Sequence, residues 1–304
     1  MDTFIYSQMF DTAQNFSDLR DFLKNREVLG GALLLSEGGF YTYVWLVAQV
    51  FSDVQWFILI TSAFIVIATA RFIYKNSDDS LISWISFVCL GSMTFTMNGM
   101  RQAMAMSFCL LSYRFVREKK LLRFLLIMII AVLFHKSAII FVFVYLMRNM
   151  KLNVQSFAFV AIGVGAFLIF AQNIAFIYDS FTGEDYATAE TFESGGVVTI
   201  LIYLIAIIGM LLRYKSIQDS EKFLPLALII VGLSLYLGRF ISTQIYERAS
   251  YYFAYFLMLC FPTVLKESDP KVRFWLRSSF VLLSVVLFAY RIQNTGFAEY
   301  EMFW

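Results

Sequence analysis

Histidine occurs once in this chain, at position 135, and proline only three times. With one histidine and three cysteines that show no CxxC spacing, no ligand set for a transition metal is present. Cys89, Cys109 and Cys260 all fall inside apolar runs and read as small core residues rather than as disulfide or metal partners. Charge is scarce too, at 15% of residues, and the basic residues are dispersed among short connections. No basic cluster interleaved with aromatics stands out, so nucleic acid is not an expected partner. The N-terminus has no basic stretch leading into an apolar one, so no cleavable signal is evident. Internal repeats and low-complexity tracts are absent, and one membrane domain over 1–304 accounts for the chain.

What is present is apolar: 60% of residues are hydrophobic and 34 are phenylalanine. Several runs approach the roughly 20 residues that cross a bilayer core, and only helices or closed barrels satisfy the backbone there. The expected fold is all-α, a polytopic membrane bundle of about ten segments. Clear spans fall near 56–74, 81–97, 98–116, 121–150, 154–172, 197–212, 222–241, 247–265 and 274–292. Residues 38–51 are too short for a full crossing and rich in Tyr and Trp, which suits a partly inserted helix. Residues 1–37 form a polar N-terminal segment and 173–196 an acidic loop, both expected outside the cytoplasm.

Orientation follows from the basic residues. If Arg71 and Lys75 are cytoplasmic and spans alternate, the connections at 114–123, 148–151, 213–222 and 266–277 are cytoplasmic as well. With Arg71 and Lys75, these connections hold 16 of the 24 lysines and arginines. The parity requires 121–150 to be two short helices that turn at His135-Lys136-Ser137; a single span would put every later basic connection outside. Non-spanning backbone at such depth needs protein or a water-filled cavity around it.

Against this background Asn98, Arg101, Gln102, His135 and Lys136 are out of place. An Arg or Lys near mid-membrane costs about 2.5–3.5 kcal/mol on insertion scales and marks a functional site by default. Asn98, Arg101 and Gln102, at i, i+3 and i+4, share one helix face at the start of the 98–116 span. A guanidinium beside a helix N-terminus makes a bidentate anion site suited to phosphate, and the competing reading is snorkelling to the interface. His135 fits a general base, an imidazolium that holds phosphate, or a residue that caps the broken helix ends. Arg239, Arg248 and Arg291 gather on the same outer side, as further anion contacts or as interfacial residues. The Asp78-Asp79 pair lies at the opposite side and does not read as a metal motif.

The run Asn98-Gly-Met-Arg101-Gln102-Ala-Met-Ala105, followed by Ala131-Val-Leu-Phe-His135-Lys-Ser-Ala138, resembles the EpsG family of Wzy-like bacterial polysaccharide polymerases. Glu37-Gly-Gly-Phe40 is similar to that family's E-x-G-F/Y segment, and Glu247-Arg248-Ala-Ser-Tyr-Tyr-Phe253 to its arginine-plus-aromatic span. Members usually carry a transmembrane helix ahead of the acidic first loop. This chain starts inside that loop, so an internal start or a member without that span is expected.

The resemblance implies a glycosyltransferase in the bacterial cytoplasmic membrane, with its site facing outward. Its substrates would be oligosaccharide repeat units on undecaprenyl diphosphate. Surrounding lipid, a flippase and a chain-length regulator would be its partners, and no cofactor is implied. Arg101 and His135 are then the catalytic candidates, with Asn98, Gln102, Lys136, Arg239, Arg248 and Arg291 as substrate-binding ones. A lipid-linked-oligosaccharide flippase or transporter, and a membrane O-acyltransferase, are the rival readings.

Overall fold

The computed structural model describes residues 2–25, 37–151, 153–182, 196–213, 220–240 and 243–294. Among these residues every regular element is helical. Three helices are long and apolar enough to cross a membrane, Val54–Asn76, Phe223–Phe240 and Pro270–Gln293. A bent pair, Ser80–Cys89 with Ser92–Asn98, makes a fourth if counted as one span, and several shorter apolar helices accompany them.

The chain opens with α1 (Asp2–Gln14) and α2 (Leu19–Asn25). The polar appearance of this segment hides an apolar stripe: Tyr6, Met9, Phe10 and Ala13 recur at helical spacing and are buried. That stripe packs on α3 (Gly38–Val50) and α4 (Val54–Asn76), where Phe10 meets Phe57 and Tyr6 meets Phe40. Trp45 on α3 donates to the Phe16 carbonyl, and Gln14 reaches back to the carbonyls of Phe51 and Ser52. These contacts form one of two buried clusters. The larger one gathers the rest of the bundle.

Polar caps start the next helices. Asp53 accepts from the Gln55 amide at α4, and Asp79 accepts from Leu81 and Ile82 at α5 (Ser80–Cys89). Such caps contribute about 1 kcal/mol each. The 78–79 corner is also tied to the far end of the chain: Asp78 pairs with Lys266 at 2.6 Å, and Asp79 with Arg277 at 3.1 Å.

Helix α5 ends at Cys89; Gly91, whose φ of +107° suits only glycine, follows, and α6 (Ser92–Asn98) leaves at 50° to α5. A second interruption follows at Gly99, with φ −104° and ψ 57°, before α7 (Met100–Arg117) begins. The expected span 98–116 therefore starts after a break, and Asn98 belongs to the preceding helix.

Helix α8 (Leu121–Phe134) stops at His135, which takes extended backbone (φ −157°, ψ 122°). A 3₁₀ segment, Lys136–Val142, and the short α9 (Phe143–Met147) follow. The rings of Phe124 and Tyr145 stack at 5.1 Å, although a straight helix would hold them about 31 Å apart. The chain thus doubles back at His135.

Helix α10 runs from Val154 to Thr182, past the expected end at 172, and the acidic residues Glu184, Asp185, Glu190 and Glu193 lie outside the described residues. The remaining helices are α11 (Gly196–Leu212), α12 (Ser220–Leu237), α13 (Thr243–Ala254), α14 (Leu257–Lys266) and α15 (Pro270–Asn294). What reads as one span over 247–265 is two helices, parted at Tyr255-Phe256. On α15, Phe274, Trp275, Leu282, Leu283, Val285 and Val286 are all exposed, an apolar surface that only lipid or protein can cover.

Candidate functional site

The site is assembled on Glu37. This residue precedes α3 in the left-handed region (φ 61°, ψ 25°), which a non-glycine residue rarely occupies. Its own carbonyl accepts from Phe40 and Tyr41 and starts the helix. Two residues on, Gly39 brings α3 against α8: a β-carbon there would stand 2.9 Å from Leu133 Cβ and 3.1 Å from its carbonyl oxygen. That approach leaves the Glu37 side chain beside the end of α8, where His135 begins the turn. Phe134, the last helical residue, is wedged among Phe40, Tyr43 and Phe108 at ring distances of 6.4, 6.1 and 5.1 Å. The position of His135 is therefore set by aromatic packing on both sides.

Glu37 uses both carboxylate oxygens. Oε2 lies 2.7 Å from Arg101 Nη1, and Oε1 is in short contact with His135 Nδ1. The Glu37 side chain is 8% exposed, His135 13% and Arg101 28%, so the carboxylate is the buried centre and the guanidinium the most open member. Lys136 adds a further positive charge that acts on Glu37. A carboxylate only accepts, so the proton of this contact sits on Nδ1, and in the neutral imidazole Nε2 is then the acceptor. Arg101 offers five guanidinium N–H groups, of which Nη1 serves Glu37. A carboxylate, an oriented imidazole and a guanidinium on three distant segments can accept a proton and stabilise an anion at one place.

The other residues singled out by sequence divide into two groups. Gln102, 3% exposed, donates from Nε2 to the Arg248 carbonyl at 2.6 Å and so joins α7 to α13. Ser137 and Tyr252 share a hydroxyl contact of 3.0 Å that joins the 3₁₀ segment to the same helix. The expectation that Asn98, Arg101 and Gln102 share one face is corrected here. The i, i+3, i+4 relation needs a continuous helix, and the break at Gly99 removes it. Asn98 instead lines a separate cavity of about 250 Å³, together with Arg239 and Arg291.

In that cavity Arg239 Nη1 contacts the Tyr236 hydroxyl and Nη2 lies 3.8 Å from Glu247 Oε2. Arg291 Nη2 lies 3.4 Å from the Thr199 hydroxyl. Both positions depend on glycines in facing helices. A β-carbon on Gly196 would meet Arg239 Nη1 at 3.0 Å, and one on Gly91 would meet Arg291 Nη1 at 2.5 Å.

Glu37 is the member that residue-by-residue reading missed. Its signal was present, as a carboxylate heading an apolar, aromatic helix, but its partners are 64 and 98 residues away.

The model of the EpsG family matches residues 1–302 of the chain. No curated protein matches it. No solved structure matches it.

Proposed function

The chain belongs to the EpsG family, and from that premise we propose that it is a membrane glycosyltransferase that polymerises lipid-linked saccharides. One observation carries the reading: the Glu37 carboxylate bridges Arg101 and His135. Polymerisation joins a sugar hydroxyl of one repeat unit to the anomeric carbon of another, whose leaving group is undecaprenyl diphosphate. The new C–O bond forms as the bond to the diphosphate oxygen breaks. The hydroxyl proton passes to His135 Nε2, the acceptor left by the Nδ1 contact to Glu37.

Charge develops on the departing diphosphate, and Arg101 is the guanidinium joined to that imidazole through their common carboxylate. In this scheme Glu37 is a positioning residue. It fixes the imidazole tautomer and holds the guanidinium, and need not touch substrate. Lys136, beside His135, supplies added positive charge. The reaction is assigned to the outer face of the cytoplasmic membrane, where the distribution of basic residues puts this end of the bundle.

The test is a gel of surface polysaccharide from a host lacking the gene, complemented with the unaltered protein or with Arg101→Ala or His135→Ala. Collapse of the ladder to a single repeat unit with both variants is the expected result. Loss of all surface polysaccharide, with lipid-linked units retained inside, would replace the polymerase by a flippase. An unchanged ladder would remove Arg101 and His135 from the mechanism.

A further inference from the structure

We propose that the cavity holding Arg239 and Arg291 binds a sugar that carries a carboxylate, a uronate-type residue of the saccharide. The proposal deepens the polymerase reading by naming a substrate class, and it concerns a site that shares no residue with the Glu37 cluster.

Charge is the first argument. Among the described residues, two guanidiniums and one carboxylate, Glu247, line the cavity, a formal balance of one positive charge that a single carboxylate on the ligand would neutralise. A lipid diphosphate brings more negative charge and no donor, so it would leave Glu247 facing like charge. Sugar hydroxyls, in contrast, donate to Glu247 and accept from the arginines at once.

Construction is the second argument. Arg239 is 8% exposed, and two glycines, Gly196 at the start of α11 and Gly91 between α5 and α6, leave room for Arg239 and Arg291. Two guanidiniums brought together in an apolar bundle mark a functional site by default. The third argument is an unmet hydrogen bond. Tyr203 lines the cavity and is 1% exposed, and among the described residues its hydroxyl has no partner. A buried orphan hydroxyl costs about 1–3 kcal/mol, and a ligand hydroxyl would satisfy it.

Shape agrees with chemistry. Phe95 and Tyr251 stack at 4.0 Å and both line the cavity, giving aromatic surface of the kind that contacts pyranose rings. A volume of about 250 Å³ admits a sugar ring with its substituents.

The test is equilibrium binding to the purified full-length protein in lipid nanodiscs. The probes are a glucuronate-containing disaccharide, its methyl ester and geranyl diphosphate. The free acid is expected to bind about 10-fold or more tighter than the ester, because a site built for a charged partner rejects an analogue lacking it. In Arg291→Gln that preference should fall below about 2-fold. Tyr203→Phe should weaken the acid while leaving the melting temperature unchanged or higher, since the hydroxyl has no protein partner to lose. This variant decides the matter if Arg291→Gln fails to fold.

Equal binding of acid and ester, or Tyr203→Phe without effect on the acid, overturns the proposal. Displacement of the disaccharide by geranyl diphosphate, with diphosphate binding lost in Arg291→Gln, also overturns it in favour of a phosphate site. None of these measurements needs turnover. An inactive protein that still discriminates acid from ester would defeat the polymerase reading alone.

Discussion

Arg291 holds its Nη1 where it would stand 2.5 Å from a β-carbon on Gly91, two hundred residues earlier in the chain. The same glycine adopts φ +107° and bends α5 away from α6 by 50°. One residue thus supplies both the break in a span and the space for a cation at that break. The two roles coincide because each needs the absence of a side chain.

Gly91→Ala is expected to cost about 1–3 kcal/mol from the left-handed backbone, plus a steric share from Arg291. Thermal unfolding in detergent measures the sum. Adding Arg291→Ala should recover the steric share only. Full recovery in the double variant would mean that the backbone conformation is not required.

Glu37→Gln keeps the shape of the side chain but removes its charge. Arg101 and His135 then lose their common carboxylate, and polymerisation should fall about 10²- to 10⁴-fold, the range for a mispositioned general base. In a His135→Gln background the same change should add little, since the residues act as a unit. Multiplicative losses in the double variant would show that Glu37 and His135 act separately. The readout is the rate of ladder growth in isolated membranes.

Gln102→Leu tests the tie between α7 and α13. The Arg248 carbonyl, inside α13, loses its 2.6 Å side-chain donor, and a lost hydrogen bond of this kind costs about 0.5–1.5 kcal/mol. A lower melting temperature is expected. An unchanged one would mean that water replaces the amide there.

The reversal at His135 can be tested covalently. Phe124→Cys with Tyr145→Cys, in a chain whose three native cysteines are replaced by alanine, should be bridged by a short bismaleimide, because the native side chains meet at 5.1 Å between rings. Mass spectrometry of the intact protein reads the mass of one linker held by both thiols. Two persistently free thiols would indicate a straight helix through residue 135.

Much of the architecture was legible because it follows from solvent transfer. Apolar runs in a chain with 15% charge predict membrane helices whatever their partners, since each helix satisfies its own backbone. The turn at His135 was legible for a related reason. A positive-inside count depends on parity, and only a reversal keeps the later basic residues on one side. The motifs around Arg101 and His135 were legible as polar residues in apolar surroundings.

Less was legible where an outcome depends on contacts between remote segments. The stripe of Tyr6, Met9, Phe10 and Ala13 was masked by acidic neighbours that make the average polar, although its spacing is helical. The break at Gly99 could not be read, because a lone glycine in an apolar run is compatible with a continuous helix. That break sends Asn98 to one cavity and Arg101 to another site.

The sequence by itself determined that this chain is a bundle of membrane helices, since burying apolar surface and satisfying backbone groups are local demands. It also determined which polar residues were out of place. Only the tertiary structure decided that Glu37 bridges Arg101 and His135, and that Arg239 and Arg291 sit apart in a cavity of their own. Those outcomes depend on where glycines let helices and side chains approach, as at Gly39 against Leu133 and Gly91 against Arg291. Such approaches are properties of pairs of surfaces, and no single stretch of sequence contains both members.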